Sequence, residues 1–409
     1  MKRVFEVALG ILAAIGGFVD IGDIVFNTAA GATFGYELLW AVALGAIGII
    51  VFAEMSGRVA LVAGRPVLEE VRQRKGFGFG LATLIASQFT NLLTCAAEIG
   101  GVAIVLQLFL GLPYRGLVLA GLVGLIVVVK ILPFNWIERI FGFGGLMLLA
   151  FAVAAWRLHP DWGEVGNGFV PSLDTGSTLV WGYFVVGLVS ATLMPYEVYF
   201  YSSGVIEDGW KPPTDIHMNR ITAVLGFGLG AFLSFSLIIV SAELFLPNGI
   251  DPEFLGTVAL AAQSPLGQIG LLVGLGGILL AISGAAIDTA LSGAYNMSQF
   301  FGWEWGKYRP SREAPVFTLS WIVFFLLGAL IILTGIDPVK LTEYSVIFGV
   351  VVMPLTYLPI LLLSTDEVYM GRYKSGRFSS TLGWIYFVVI VTLALTAIPL
   401  MVLTNMGLG

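Results

Sequence analysis

Long stretches of mostly apolar residues follow one another along the chain, separated by short segments that hold most of the polar residues. A helix that crosses a lipid bilayer needs about 20 consecutive apolar residues, and eleven stretches reach that length. The pattern predicts spans at about 5–31, 37–63, 79–109, 114–131, 138–157, 178–206, 219–246, 266–301, 315–335, 341–363 and 381–405.

The composition agrees with a chain that lies in a membrane. Of 409 residues, 58% are hydrophobic and only 11% are charged, and the mean hydropathy of +0.94 is too high for a soluble protein of this length. Long linkers and low-complexity tracts are absent, so one domain, 1–409, is expected. The single cysteine, Cys95, excludes an intrachain disulfide and a cysteine-based metal site. We expect the lipid bilayer as a partner and no nucleic acid; the oligomeric state stays open, with a monomer plausible.

The distribution of lysine and arginine predicts the orientation of the chain in the membrane. If the N-terminus is cytoplasmic, seventeen of the twenty basic residues face the cytoplasm. Only Arg115, Arg157 and Lys340 fall on the other side. Short cytoplasmic loops carry an excess of basic residues, so we expect a multi-pass protein of the inner (plasma) membrane with a cytoplasmic N-terminus.

Two of the predicted spans contain features that interrupt a helix. In the first span, Asp20 and Asp23 flank Gly22, and both residue types have low helix propensity. In the sixth span, Met194 precedes Pro195, which removes a backbone donor and clashes with the preceding turn. Glu197 follows one turn later. A charged side chain near the bilayer centre costs about 2.5–3.5 kcal/mol, so these acids should face a cavity.

Interruptions five spans apart indicate a transporter built from two inverted repeats, with its site at the midplane between the breaks. The repeats would span 5–157 and 178–363, followed by an extra helix at 381–405. The alternative is a proline kink whose acids pair with a basic residue, but no lysine or arginine lies in the apolar core of any predicted span. A cation could then neutralise the acids. Met194 either contributes a soft thioether ligand or fills the core.

Several motifs in this order resemble the NRAMP family of divalent metal transporters. They are DIGDIVFNTAAGATFGYELLW (20–40), AEIGGVAIVLQLFLGLP (97–113), ATLMPYEVYFYS (191–202), LSGAYNMSQF (291–300) and STDEVYMGRYKSG (364–376). The resemblance implies an all-α membrane fold of eleven helices with a LeuT-like inverted repeat and unwound helices one and six. It also implies a metal site formed by Asp20, Asp23, the Ala191 carbonyl and the Met194 thioether. The ion would be the substrate, so no cofactor is expected.

The chain departs from the family pattern at several positions. The first-helix motif of the family is Asp-Pro-Gly-Asn, so Ile21 replaces its proline and Asp23 its asparagine. The two histidines of the family's sixth helix are Tyr196 and Tyr201 here. Glu98 is retained, but the family acid that precedes it falls at Cys95 or Thr94 here. The family arginine on helix nine is missing, and the glutamine on helix ten aligns near Val346.

These departures predict weak or absent proton coupling. His159 and His217 both fall in predicted loops, so no group with an unperturbed pKa between 5 and 8 is expected within the membrane. Glu98 or Glu197 would have to carry a proton alone. We assign Glu98, Glu197, Tyr196 and Tyr201 to the ion path or a gate.

The ligand types leave the choice of metal open. Asp23 adds a hard anionic ligand, which suits a strongly hydrated ion such as Mg²⁺, whereas Met194 favours Mn²⁺ and softer ions. We favour Mn²⁺, with Mg²⁺ second. The alternatives are a dedicated Mg²⁺ transporter of the NRAMP-related branch and an organic-solute transporter of the same fold, although acids at both breaks would repel an amino-acid carboxylate. No H-E-x-x-H motif occurs, and an enzyme is not expected.

Three further acids are considered separately. Glu54 lies four residues before Arg58, an order that favours a salt bridge. Glu243 and Asp288 lie in spans seven and eight at depths that the pattern does not determine, and for Asp288 both helix packing and a place along the ion path stay open.

Overall fold

The computed structural model describes residues 19–171, 178–252 and 255–407, and these form helices without any strand. Short 3₁₀ turns lie at Leu146–Leu148, Leu246–Asn248 and Gly371–Tyr373. The helices are α1 (Ile21–Phe34), α2 (Leu39–Ala63), α3 (Val67–Lys75), α4 (Phe77–Leu110), α5 (Tyr114–Ile131), α6 (Phe134–Gly145), α7 (Leu149–Arg157), α8 (Trp162–Asn167), α9 (Thr178–Thr192), α10 (Pro195–Glu207), α11 (Thr214–Leu244), α12 (Leu255–Phe301), α13 (Pro315–Leu333), α14 (Pro338–Thr365), α15 (Glu367–Met370) and α16 (Arg377–Leu403).

Ten stretches of helix within the described ranges are long and apolar enough to cross a membrane. They correspond to the second to eleventh predicted spans; α6 with α7 makes one span, and α9 with α10 makes another. Of the first predicted span, 5–31, the part before residue 19 lies outside the described residues, and the remainder forms α1.

The starts of two helices differ by several residues from the sequence-based predictions, and one short helix was not predicted. α11 begins at Thr214 rather than 219, so the placement of His217 in a loop was wrong: it lies exposed in the first turn of this helix. α12 begins at Leu255 rather than 266 and bends at Gly267, which has a φ of 68°. The short helix α3 was not predicted, because its residues are mostly charged and give no apolar signal. Acids in its first turn and bases in its last turn suit the helix dipole.

The predicted interruption at Pro195 is present, whereas Gly22, the predicted weak point of the first span, lies inside α1. We call the start of α1 at Asp20 and the gap between α9 and α10 the two breaks. α9 ends at Thr192 and α10 begins at Pro195, with Met194 extended between them (φ −71°, ψ 133°). Proline is well placed at the first position of a helix, where its missing N–H is not needed. The Ala191 carbonyl, four residues earlier, has no helical donor because Pro195 carries no N–H. α1 begins at Ile21, and Asp20 before it is also extended.

Small residues bring the helices that carry the two interruptions close to their neighbours. α11 packs against α1 and α2, while α14 packs against α4 and α16. A Cβ at Gly31 would lie 2.4 Å from the Ile238 carbonyl oxygen, and a Cβ at Gly45 would collide with the Thr192 hydroxyl. Larger residues at these glycines would therefore separate α1 from α11 and α2 from α9.

The connecting segments gather at two ends of the bundle. Segments 208–213 and 302–314 lie at the same end, because the Lys307 amide donates to Glu207 Oε1 at 2.8 Å. We call this the basic end, since described basic residues gather there: Lys130 donates to Ser311, Arg72 to the Phe300 carbonyl and Arg58 to the Tyr373 carbonyl. Segments 35–38, 158–161 and 245–252 belong to the opposite end.

Candidate functional site

Asp20 lies where the start of α1 meets the start of α10. Its side chain is only 1% exposed, and its Oδ1 accepts a hydrogen bond from the Asp23 amide at 2.8 Å, which caps the start of α1. The Tyr196 hydroxyl, from the first turn of α10, also hydrogen-bonds the Asp20 carboxylate. The break before α1 and the break before α10 therefore meet at one carboxylate.

Asp23 is completely buried and is held by neutral donors. Its Oδ1 accepts from the Asn27 amide at 2.7 Å, and its Oδ2 accepts from the Ser234 hydroxyl of α11 at 2.6 Å. A carboxylate offers about four lone-pair positions, so two donors leave room for another ligand. Asn27 could have been found from its position one turn after Asp23. Ser234 could not, because it lies 211 residues away along the chain.

Glu98, on α4, also lies at the start of α1. It is fully buried, and its Oε1 accepts from the Ile21 amide at 3.0 Å, the first peptide of α1. Its Oε2 has no hydrogen-bond partner within the part of the chain that the structure describes. The acid assigned from sequence to the ion path therefore lies directly beside the first break.

α14 forms a common wall behind both breaks. The Ser190 hydroxyl donates to the Val346 carbonyl at 2.6 Å, and a Cβ at Gly22 would lie 3.0 Å from the Val346 side chain. A Cβ at Gly349 would lie 3.4 Å from the Met194 sulfur. Met194 is 1% exposed and so lies inside the protein at the second break.

A cavity of about 80 Å³ begins beside the second break and extends to the basic end. We call it the inner cavity. Glu197 lines it; this residue is 6% exposed, and neither of its carboxylate oxygens has a partner among the described residues. The polar and charged residues around the cavity are Glu138, Tyr196, Glu197, Tyr201, Asp208, Thr222, Asp288 and Lys307.

Lys307 brings a buried positive charge into the inner cavity from segment 302–314. Its ammonium lies 3.0 Å from Glu138 and 3.6 Å from Asp208. Burial opposes this charge, but the carboxylates of Glu138 and Asp208 outweigh burial and keep the pKa of Lys307 above its usual value. The sequence did not reveal this residue, because it lies in a connecting segment and folds back towards α12.

The structure also gives the contacts of the remaining acids and of Tyr201. The Glu54–Arg58 salt bridge is confirmed. Glu243 accepts a hydrogen bond from the Tyr36 hydroxyl at the end opposite the basic end. Tyr201 donates to the Asn219 carbonyl at 2.9 Å and faces the inner cavity, and Asp288 lines the same cavity.

The acids at the breaks have no basic partner. None of the ion pairs in the described ranges involves Asp20, Asp23 or Glu98 at the breaks, or Glu197 in the inner cavity. The same ranges contain no group of three or more histidine, cysteine, aspartate or glutamate side chains arranged to hold a metal ion. A cation at the breaks would therefore need neutral ligands, such as a carbonyl or a thioether, beside the carboxylates.

Comparison with known proteins places the chain in a group of transporters. Residues 10–399 match the Nramp family, described as natural resistance-associated macrophage protein-like. A divalent metal cation transporter MntH of Deinococcus radiodurans is 27% identical over 398 residues, covering 94% of this chain and 87% of the relative. An MntH of Agrobacterium fabrum is 25% identical over 403 residues, covering 94% and 84%.

Solved structures show the same fold. An Eremococcus coleocola manganese transporter, crystallised with an aromatic bis-isothiourea compound, superposes with a TM-score of 0.79 at 19% identity, covering 96% of this chain and 85% of that one. MhsT in complex with L-phenylalanine gives a TM-score of 0.64 at 16% identity, covering 94% and 98%.

These likenesses confirm an all-α membrane protein with the LeuT-like fold and a transport protein rather than an enzyme. The bounds of the two repeats stay a prediction. A match over almost the whole length of the sequence shows that the chain belongs to the Nramp family.

Proposed function

We propose that the protein is a secondary transporter that moves divalent metal ions across the plasma membrane, with Mn²⁺ favoured and Mg²⁺ second. One observation carries the proposal: Asp20 and Asp23 are buried at the start of α1, and their hydrogen-bond partners within the described residues are neutral. Asp20 also meets Tyr196 from the second break. The names of the relatives, which are divalent metal cation transporters, support it.

The burial of two neighbouring carboxylates favours a cation between the breaks. Removing a carboxylate from water costs several kcal/mol even after the protein relaxes. The N-terminus of α1 offsets a part of this, but a helix dipole contributes at most about 2 kcal/mol in a buried setting. Two neighbouring carboxylates also repel each other. A divalent ion between the breaks would offset both the burial and the repulsion, which hydroxyl and amide donors alone would not.

We assign the ligands to Asp20, Asp23, the Met194 sulfur and the Ala191 carbonyl. The carbonyl is free for an ion because Pro195 offers it no helical donor. Both carboxylates keep unused lone pairs beyond their hydrogen bonds. Two hard anionic ligands suit Mg²⁺ and Mn²⁺ alike, while the buried thioether favours Mn²⁺. A dedicated Mg²⁺ transporter is the second candidate, supported by the extra carboxylate of Asp23.

We propose that proton coupling is weak or absent. His159 lies in a connecting segment at the end opposite the basic end, and His217 is exposed at the basic end, so neither faces the breaks. Tyr196 and Tyr201 align with the two sixth-helix histidines that the resemblance assigns to the proton route, and tyrosine has an unperturbed pKa near 10. The membrane potential alone would supply about 4.6 kcal/mol per 100 mV for a divalent ion crossing the whole field.

Uptake into proteoliposomes with a negative interior tests the proposal. Fluorescent or radioactive detection should show entry of Mn²⁺ and, more weakly, of Mg²⁺, and no entry of amino acids. Asp20→Ala should abolish metal entry. Amino-acid uptake without metal uptake would contradict the proposal and would favour the organic-solute alternative. Mg²⁺ uptake without Mn²⁺ uptake would favour the dedicated Mg²⁺ transporter.

A further inference from the structure

Glu197 is an acid without a partner, and its surroundings point to a ligand. The side chain is 6% exposed, both of its oxygens lack a hydrogen bond within the described residues, and it lines the inner cavity. A buried carboxylate in this condition carries an uncompensated desolvation cost. A ligand that enters the inner cavity must offset this cost when Glu197 is ionised.

The charges around the inner cavity do not balance. Four carboxylates line it, and among the residues that the structure describes Lys307 is the one lysine or arginine that does so. Lys307 lies against Glu138 and Asp208, and its ammonium also sits 4.3 Å from the centre of the Phe134 ring. Glu197 and Asp288 have no such ion pair in the described ranges, although both line the inner cavity. The charge of Glu197 interacts with those of Asp20 and Asp23 and, more weakly, with that of Asp288.

We propose that Glu197 and Asp288 hold a second divalent cation, separate from the ion at the breaks and still carrying part of its water shell. The inference rests on the proposed function: an ion released from the breaks would stop at this second site before it leaves at the basic end. The inner cavity begins beside Tyr196, whose hydroxyl bonds to Asp20 and whose side chain also lines the cavity. Tyr196 therefore stands between the two sites.

The geometry favours an ion that keeps its water. No group of three acidic, histidine or cysteine side chains within the described residues is arranged to hold a bare ion. The inner cavity, at about 80 Å³, has room for several water molecules. Mg²⁺ and similar hard ions retain waters and use one or two carboxylates, which is what Glu197 and Asp288 offer. Lys307 forms its ion pairs with Glu138 and Asp208, and within the described residues it forms none with Glu197 or Asp288, although its charge also acts on Asp288.

Counting bound Mn²⁺ by electron paramagnetic resonance in the purified full-length protein tests the inference. The wild type should bind about two ions per chain, and Glu197→Gln and Asp288→Asn should each bind about one, because each removes one of only two anionic ligands. Asp20→Ala should also retain about one ion. Glu304→Gln is the matched control: it removes an acid at the basic end that is exposed and paired with Arg309, and should bind as many ions as the wild type.

The outcomes separate this inference from the proposed function. One ion in the wild type, lost in Asp20→Ala and kept in Glu197→Gln, would overturn the second site and leave the transporter proposal standing. Loss of all binding in both variants would mean one shared site and would also overturn the inference. If Asp20→Ala binds as many Mn²⁺ ions as the wild type while Glu197→Gln loses one, the second site at Glu197 and Asp288 stands and the assignment of ligands at the breaks fails. Thermal unfolding shows whether each variant is folded. If Glu197→Gln does not fold, Asp288→Asn takes its place in the test.

Discussion

Replacing Asp20 by asparagine separates the two roles of this residue. Asp20 caps α1 by accepting from the Asp23 amide at 2.8 Å, and in our proposal its charge binds the metal. Asparagine caps a helix about as well as aspartate, because its side-chain oxygen accepts the same hydrogen bond. Asp20→Asn should therefore fold like the wild type but lose an anionic ligand. Asp20→Ala loses both the cap and the ligand.

The size of each effect follows from the contacts. Losing one partner of a buried pair of opposite charges costs about 2–5 kcal/mol, and 1.4 kcal/mol is a factor of ten in affinity. We expect Asp20→Asn to weaken Mn²⁺ binding by about 30-fold to several thousand-fold. Loss of the cap costs about 0.5–2 kcal/mol of folding free energy, so that only Asp20→Ala should unfold at a lower temperature.

Isothermal titration with Mn²⁺ and thermal unfolding in the same detergent measure both quantities. Asp337→Asn is the matched control, because Asp337 caps α14 through the Val339 amide at 2.8 Å and is exposed. It should leave both Mn²⁺ affinity and unfolding temperature unchanged. If Asp20→Asn binds Mn²⁺ within about threefold of the wild type, the charge of Asp20 does not hold the ion and the reasoning is refuted.

Three further predictions concern the same site. Met194→Ala should reduce Cd²⁺ uptake by about tenfold or more and leave Mg²⁺ uptake nearly unchanged, because only the soft ion needs the thioether; an unchanged Cd²⁺ response would show that the sulfur is not a ligand. Ser234→Ala removes the donor to Asp23 Oδ2 and should weaken Mn²⁺ binding by about tenfold in titration, whereas equal affinity would mean that Asp23 needs no positioning. With the potential fixed, Mn²⁺ uptake between about pH 5.5 and 7.5 should vary little, and a pH-sensitive dye inside the vesicles should report no stoichiometric acidification, since no histidine faces the breaks.

Local signals in the sequence were enough to predict the spans and their interruptions. Apolar length alone located ten of the helices, because every backbone polar group must be satisfied within a helix inside the bilayer. Pro195 marked the second break because it cannot continue a helix. Gly22 between two aspartates marked the first to within a turn, since Gly22 itself lies inside α1, which begins at Ile21. These features act within one or two turns, so a single sequence contains them.

Features that depend on distant residues were not predictable in the same way. Ser234 meets Asp23 only because Gly31 lets α11 approach α1 closely, which is a property of packing rather than of pattern. Lys307 lies in a polar segment and enters the inner cavity by folding back to Glu138. The first turn of α11, with His217, was missed because polar residues at a helix end carry no apolar signal.

Anomalous X-ray scattering from crystals soaked with Mn²⁺ tests the central claim most directly. We predict a peak between the two breaks, within about 2.0–2.6 Å of carboxylate oxygens of both Asp20 and Asp23, next to the Ala191 carbonyl and the Met194 sulfur. A well-occupied Mn²⁺ found elsewhere in the protein, with none between the breaks at saturating concentration, would contradict the account.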